Sequence, residues 1–191
     1  MVITYAFLGI FIALMGYFAY FETVKSEDFI NSPYNARQDS FSSSTVRGKI
    51  MGSGGEILAE SNVDAEGKET RTYPYRNLFA HVVGYSTHGK LGVESAANFN
   101  LLRSNSFFLE RIVNEIRGEK NKGDDVVTTL NVSLQQAAYD ALGEHDGAVV
   151  VMEPSTGRIL AMVSKPDFDP NEVAANWEAI SGDSESSVLV N

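Results

Sequence analysis

The chain has 191 residues, 43% of them apolar, with a formal net charge of −10 and a pI of about 4.7. That length allows one ordinary domain or two small ones, and the acid excess argues against nucleic-acid binding, which needs a basic face. The absence of cysteine excludes disulfides and thiolate metal sites.

The first element in chain order is the apolar run VITYAFLGIFIALMGYFAYF, Val2 to Phe21, which carries no charge. As a helix rising 1.5 Å per residue it covers about 30 Å, the hydrocarbon thickness of a bilayer. Tyr5, Tyr17 and Tyr20 sit near its ends, where interfacial aromatics belong. Residues 1–21 are therefore expected to form a transmembrane helix. A core helix this uniformly apolar would need a larger protein around it. A cleaved signal peptide usually has a shorter apolar region, and no small-x-small site follows Phe21. No Lys or Arg precedes the span, so orientation cannot be counted from that side, and the missing basic leader suggests a native chain that begins before Met1.

Residues 22–45 are polar and rich in Ser, Asn and Asp, and read as a juxtamembrane linker, extended or loosely held, with part of it a short helix or β arm. From Val46, short apolar pieces flank a Gly-rich turn at Gly52 to Gly55, which lacks the Lys-Ser/Thr of a phosphate loop. ILAES and TRTYPY around the polar NVDAEGKE predict a hairpin. NLFAHVVGYS is a short helix or strand ending at Gly84, and AANFNLLRS is helical in character. SFFLERIVNEIRG fits a helix, or a strand pair bending at Asn114. GDDVVTTLN reads as a strand, alternating through Val127 and Leu130. SLQQAAYDALGEH predicts a helix capped by Ser133 or Asn131, with a stripe of Leu134, Ala138, Ala141 and Leu142 and an end at Gly143. Ala148–Met152 and Ile159–Val163 are apolar strands around the turn EPSTGR, and such continuous runs suggest burial on both faces. The acidic, Ser-rich segment from Asp167 contains one short helical piece, PNEVAANWEAI, with the single Trp177.

The chemistry legible in this pattern is sparse. His81, His88 and His145 share no metal spacing and read as surface or packing residues. No pair of acids stands out as an acid/base couple. Ser155-Thr156-Gly157 is close to a K-T-G strand motif, but the Lys is absent and the tripeptide falls in a hairpin turn. No Ser is followed by Lys three residues later, and no S-x-N occurs. No catalytic, cofactor-binding or metal-ligating residue is expected, and no cofactor.

Three short motifs nevertheless resemble the membrane-proximal pedestal of the class B penicillin-binding proteins, single-span peptidoglycan D,D-transpeptidases. The family pattern RGxIxDRxGxxLA appears as RGKIMGSGGEILA, with Arg47, Gly48, Ile50, Gly55, Leu58 and Ala59 in place and Gly52-Ser53 where the family has Asp-Arg. RxYPxG appears as RTYPYR, with Arg71, Tyr73 and Pro74 matching and Arg76 in place of the Gly. GxxGxE is intact as GKLGVE, with Gly89, Gly92 and Glu94. GDDVVTTLNVSLQQAA resembles the strand and helix leading into the transpeptidase domain, and GAVVVMEPSTGRILAMVSKPDFDPN that domain's first strand pair.

The resemblance implies an α+β chain: one N-terminal transmembrane helix, a β-rich elongated pedestal or dimerisation domain over 46–130, and an incomplete transpeptidase domain over 131–191 made of one helix and the first β-hairpin. The family reaction acylates a Ser with a D-Ala-D-Ala stem peptide and transfers the acyl group to an amine, using a Lys to accept the proton. The resemblance places that Ser shortly after Asn191, so this chain is expected to be inactive by itself and to bind penicillin only when the missing domain is supplied. It also implies a soluble part outside the cell membrane, with glycosyltransferase, division or elongation proteins as partners. The alternative is a non-enzymatic membrane-anchored scaffold for such partners. A lone hairpin is marginal in water, so this one needs the pedestal or a partner to cover it. Buried arginines need carboxylate partners, and Glu94 is the candidate for Arg47 or Arg71, the alternative being that all three lie on a solvated surface.

Overall fold

The computed structural model describes residues 2–25, 45–64, 66–104, 114, 116, 117 and 120–182. Most of the expected linker and of the 106–118 segment, and the end of the acidic tail, lie outside the described residues. The chain divides into two units, residues 1–35 and 36–191.

In the first unit, α1 spans Val2–Tyr20 and continues as a wider π-helical turn over Phe21–Lys25. The helix therefore runs past the expected end at Phe21. Its apolar side chains are exposed on every side, with a mean hydropathy of 2.0 in its most apolar stretch. A helix apolar all round has no water-compatible face, which fits a lipid surrounding.

The second unit begins with very short strands, β1 (Thr45–Val46) and β2 (Ile50–Met51), followed by β3 (Ile57–Val63) and β4 (Glu69–Thr72). After several helices come β5 (Asn121–Lys122) and β6 (Val126–Val127). The four-stranded sheet runs β4-β3-β2-β6, antiparallel except where β6 joins β2 in parallel, and β1 pairs with β5 in parallel. The predicted hairpin is β3–β4. Its polar tip is closed by the Asp64 carboxylate, which accepts from the backbone N–H groups of Glu66 (3.0 Å) and Lys68 (2.8 Å). The expected alternation in β6 is out of phase: Val127 is 66% exposed, whereas Val126 packs on the core and Leu130 is buried. Successive side chains of a strand point to opposite faces, so Val126 takes the inner face and Val127 the outer one, while Leu130 is buried beyond the end of the strand.

NLFAHVVGYS is helical, as a 3₁₀ turn over Arg76–Phe79 and α2 over Ala80–Val83. Then come α3 (Gly92–Ala96) and α4 (Asn98–Leu102). Ile50, Leu58, Ala59, Tyr73, Phe79, Val83, Leu101 and Leu130 make the main core between sheet and helices.

Helix α5 spans Val132–Leu142, and the side chain of Asn131, rather than Ser133, caps it by accepting from Leu134 N–H at 3.0 Å. Its inward face is Gln135, Ala138, Tyr139 and Leu142, at i, i+3, i+4 and i+7. Leu134 and Ala141, expected in the stripe, are exposed because they fall off that face. Gln135, a polar residue with no exposed surface, is at the centre of it. Its amide N–H groups donate to the carbonyls of Leu78 (2.7 Å) and Met162 (2.8 Å), and its oxygen accepts from Met162 N–H (2.8 Å).

Strands β7 (Gly147–Glu153) and β8 (Arg158–Lys165) form an antiparallel pair with a bulge at Val151/Met152. Ser155-Thr156-Gly157 lies in the turn between them, Gly157 at φ +73°. Burial on both faces of β7 is not observed: Val150 and Met152 are exposed, while Val149 and Val151 pack with Ala161 and Val163 against α5. One face of the hairpin has a helix to cover it and the other has none among the described residues. The main core does contribute, since Ile159 packs on it. The chain closes with α6 (Val173–Gly182), broken at Asn176, which brings Trp177 against Tyr85. His81 is a packing residue, as expected. It is edge-on to Phe168 at 5.2 Å and bonded to the Pro166 carbonyl at 3.0 Å, and burial pushes its pKa below the ordinary 6.5. His88 stacks on Trp177, and His145 is exposed.

Gln135→Ala removes three hydrogen bonds to part-buried backbone groups at once. It is expected to cost about 3 kcal/mol or more, read from the urea midpoint of the detergent-solubilised chain, whereas Gln136→Ala on the exposed face stays within about 0.5 kcal/mol.

Candidate functional site

The residues that the sequence singles out converge on one buried carboxylate. Arg47 lies in the loop between β1 and β2, Arg71 on β4, and Glu94 in the first turn of α3. Glu94 has no exposed surface, and both arginine side chains are 7% exposed. Arg47 Nε meets Glu94 Oε2 at 2.5 Å and Arg71 Nε meets Oε1 at 2.8 Å, so each carboxylate oxygen serves one guanidinium. The expected Glu94 contact is made with both arginines, and the solvated-surface alternative is excluded.

Two cations around one anion leave an excess charge, which neutral oxygens share. Arg47 also donates to Asn98 Oδ1 (2.5 Å) and to the Glu94 carbonyl (2.6 Å), while Arg71 donates to the Gly48 carbonyl (2.7 Å) and Ser61 Oγ (3.1 Å). The Tyr73 hydroxyl lies 3.2 Å from Glu94 Oε1 and 3.3 Å from Ser86 Oγ. Burial, and then the neighbouring Glu94 charge, hold its pKa well above the ordinary tyrosine value. Asn98 was not picked out from the sequence. It stands four residues after Glu94, a spacing that puts both on one side of a helical segment.

The other motif residues shape the backbone around this cluster. A Cβ at Gly48 would lie 2.0 Å from the Asp124 carbonyl, so only glycine lets the chain pass the β5–β6 connection there. Gly92, at φ +59°, would carry a Cβ 2.5 Å from the Val82 carbonyl, and starts the helix that presents Glu94. Gly55 (φ +88°) is in the β2–β3 turn and Gly89 (φ +118°) in an exposed loop, both with open space around them. Gly52 and Ser53 bond to the backbone of Glu56 and Leu130, away from the Glu94 contacts.

Pro74 is exposed and makes a turn rather than a contact. Arg76 N–H bonds to the Tyr73 carbonyl (3.1 Å), with Pro74 at the second position and Tyr75 (φ −92°, ψ 2°) at the third, the angles of a type I turn. Arg76 follows at φ +46°, a left-handed conformation that glycine adopts without strain. Its guanidinium reaches Asp169 at 3.5 Å.

A second set of contacts ties this motif to the chain beyond β8. Asn171 accepts from Tyr73 N–H (2.9 Å) and donates to the Tyr73 carbonyl (3.0 Å), pairing with the backbone as a strand would. Asp167 accepts from Asn77 (2.8 Å) and from the Tyr139 hydroxyl (2.6 Å), and that bond, with burial, pushes the phenol up to about 12. Asn171 and Asp167 were not foreseen, because an Asn and an Asp in a Pro-rich acidic stretch read as solvated loop.

The arrangement offers no reacting constellation. Among the described residues no three His, Asp or Glu side chains gather as a metal site, and the buried carboxylate is saturated by cations. Its chemistry is architectural: it locks a loop, a strand and a helix to one point.

Residues 47–126 match the family model of the penicillin-binding protein A dimerisation domain, and residues 147–184 that of the penicillin-binding protein transpeptidase domain. The chain is 37% identical over 163 residues to the peptidoglycan D,D-transpeptidase PbpA of Mycolicibacterium smegmatis, covering 76% of this chain and 33% of that protein. It is 33% identical over 141 residues to the peptidoglycan D,D-transpeptidase MrdA of Escherichia coli K12, covering 57% and 22%. Its fold resembles penicillin-binding protein A from M. tuberculosis in an imipenem acyl-enzyme complex, with a TM-score of 0.66 and 35% identity over 78% of this chain and 37% of the other. A D,D-transpeptidase domain structure from Eggerthella lenta gives 0.64 and 38% over 77% and 32%. The chain thus spans about a third of the length of the PbpA relative.

Glu94→Gln leaves two buried guanidinium groups without an anion and is expected to cost about 3–5 kcal/mol in urea unfolding, against less than about 1 kcal/mol for Glu60→Gln, whose pair with Lys49 is half-exposed. Arg76→Gly relieves the left-handed strain and gives up one long pair between an exposed guanidinium and Asp169, so its unfolding midpoint should match or exceed the parent's, while Arg76→Val falls about 1–2 kcal/mol below Arg76→Gly.

Proposed function

Since the chain carries the dimerisation domain and the opening of the transpeptidase domain of a class B penicillin-binding protein, we propose that it is the membrane-anchored frame of a peptidoglycan D,D-transpeptidase. In this reading α1 crosses the membrane once and residues 46–130, on its outer side, form the pedestal. Residues 131–191 begin the transpeptidase domain. The nine motif residues Arg47, Gly48, Gly55, Arg71, Tyr73, Pro74, Gly89, Gly92 and Glu94 serve as the structural elements of the pedestal and take no part in acyl transfer.

The observation that carries the reading is the continuity between the Glu94 cluster and the Asn171 clamp. Glu94 fixes Arg47 and Arg71, the Tyr73 hydroxyl lies against Glu94, and the Tyr73 backbone is gripped by Asn171 just beyond the β7–β8 hairpin. A hairpin held this way has a fixed place relative to the pedestal. That is what a sheet bearing a nucleophile further along a longer protein needs, because acyl transfer tolerates little misplacement of the reacting groups. The sequence supplies no S-x-x-K, S-x-N or K-T-G, so the nucleophile and its Lys belong to the remainder of that longer protein. Glycosyltransferase and division or elongation proteins are the partners this role calls for.

Native membranes labelled with fluorescent penicillin, and probed with an antibody to residues 46–145, test the reading. The expected result is an antibody-reactive band well above 20.9 kDa that takes the label. An antibody band confined to 20.9 kDa and free of label overturns it and favours the scaffold without enzyme activity.

A further inference from the structure

We propose that the cleft beside the Glu94 cluster binds a small oxyanion ligand, one presenting a carboxylate or phosphate group. The cleft has a volume of about 360 Å³ and, among the described residues, is lined by Arg47, Arg71, Lys90 and Lys120 against one carboxylate, Glu69, with the Ser86 hydroxyl on its wall. This concentration of cations stands out on a chain whose net charge is −10. The size is at the lower end of the range for small-molecule sites.

A second observation points the same way. The Arg71 side chain is 7% exposed, and its Nη2 is buried with no hydrogen-bond partner among the described residues. The other nitrogens of that guanidinium are committed, Nε to Glu94 and Nη1 to the Gly48 carbonyl and Ser61. Buried donors without acceptors are rare in folded proteins, and an orphan guanidinium N–H is costly. Arg71 lines the cleft, and a small turn of its guanidinium toward an oxygen acceptor seated there answers that donor. The planar fork of Arg71 and the flexible ammonium groups of Lys90 and Lys120 form the mixed cation set that suits carboxylate and phosphate oxygens. Glu69, which accepts from Arg47 N–H at 3.0 Å, offsets one of the four cations and leaves the described lining with more cations than carboxylates. The bonds to Glu94 hold Arg47 and Arg71 beside the cleft, and its half-buried lysines complete the site.

The test uses the full 191-residue chain in nonionic detergent, titrated with sodium phosphate and separately with sodium citrate, with sodium chloride at matched ionic strength as control. Binding is read by calorimetry and by the shift in Tm. K90A/K120A is the variant, because it leaves the Glu94 ion pairs intact, and an unchanged far-UV spectrum verifies its fold. The proposal expects saturable binding and a raised Tm with phosphate or citrate, no such effect with chloride, and roughly tenfold or more weakening in K90A/K120A. A response to phosphate alone identifies a phosphate-bearing ligand, and a response to citrate alone a carboxylate. No saturable binding, an equal shift with chloride, or undiminished binding in K90A/K120A overturns it.

Discussion

A carboxylate with no exposed surface, held between two guanidinium groups, is the constraint on which the second unit of the chain depends. Burying three charges is expensive, and the attraction between them offsets the loss of water only when the geometry is close and the remaining donors find acceptors. Both conditions are met here. The contacts run from a loop, a strand and a helix that are far apart in sequence, 47 residues separating Arg47 from Glu94 and 23 separating Arg71 from it. An apolar core of small strands tolerates sliding and repacking. A buried charge does not, since any arrangement that removes one partner leaves an ion stranded. The sheet in this unit contains strands as short as two residues, so register must come from something other than strand length, and the cluster supplies it.

From that point order passes outward through Tyr73. Its hydroxyl is at the cluster, its ring is in the main core, and its backbone is clamped by Asn171. Gln135 makes a parallel connection, bonding α5 to both the 3₁₀ turn and β8. Two polar side chains thus act as substitute strands, satisfying backbone groups that a larger sheet would otherwise pair. The outward face of β7, with Val150 and Met152, lacks such cover among the described residues. An apolar sheet face of this kind is the part of a frame that further structure is built upon.

Much of this was legible in the sequence because glycine, proline and paired charges have narrow physical meanings. The spacing of the apolar residues predicted the β3–β4 hairpin and the existence of α5. Gly48, Gly92, Arg47, Arg71 and Glu94 were picked out by the resemblance to the family motifs, and the structure supplies the reason: a Cβ at either glycine would collide with a carbonyl, and the three charges neutralise one another in a buried site. What escaped were residues whose role depends on tertiary partners. Gln135 reads as an outward polar residue until β8 presents a backbone edge to it. Leu134 and Ala141 read as a core stripe until the direction of packing chooses the adjacent face. Val127 was assigned to the wrong side because a strand of two residues offers too short a run to set its phase. Asn171 and Asp167 are separated from their pedestal partners by 98 and 90 residues of chain, and no local pattern announces such a contact.

The central claim is that the pedestal and the hairpin segment stand or fall together. Trp177, the only tryptophan, lies at the far end of that linkage, 6.1 Å from Tyr85 and stacked on His88 at 5.2 Å. Its fluorescence therefore reports on the docked C-terminal helix, while hydrogen exchange at the cross-strand bonded amides of β3 and β4 reports on the pedestal sheet. Urea unfolding of the detergent-solubilised chain followed by both probes should give one coincident transition. Loss of the Trp177 signal at a clearly lower urea concentration than the opening of β3 and β4 would contradict the account, because it would mean that the hairpin segment rests on the pedestal without being held by it.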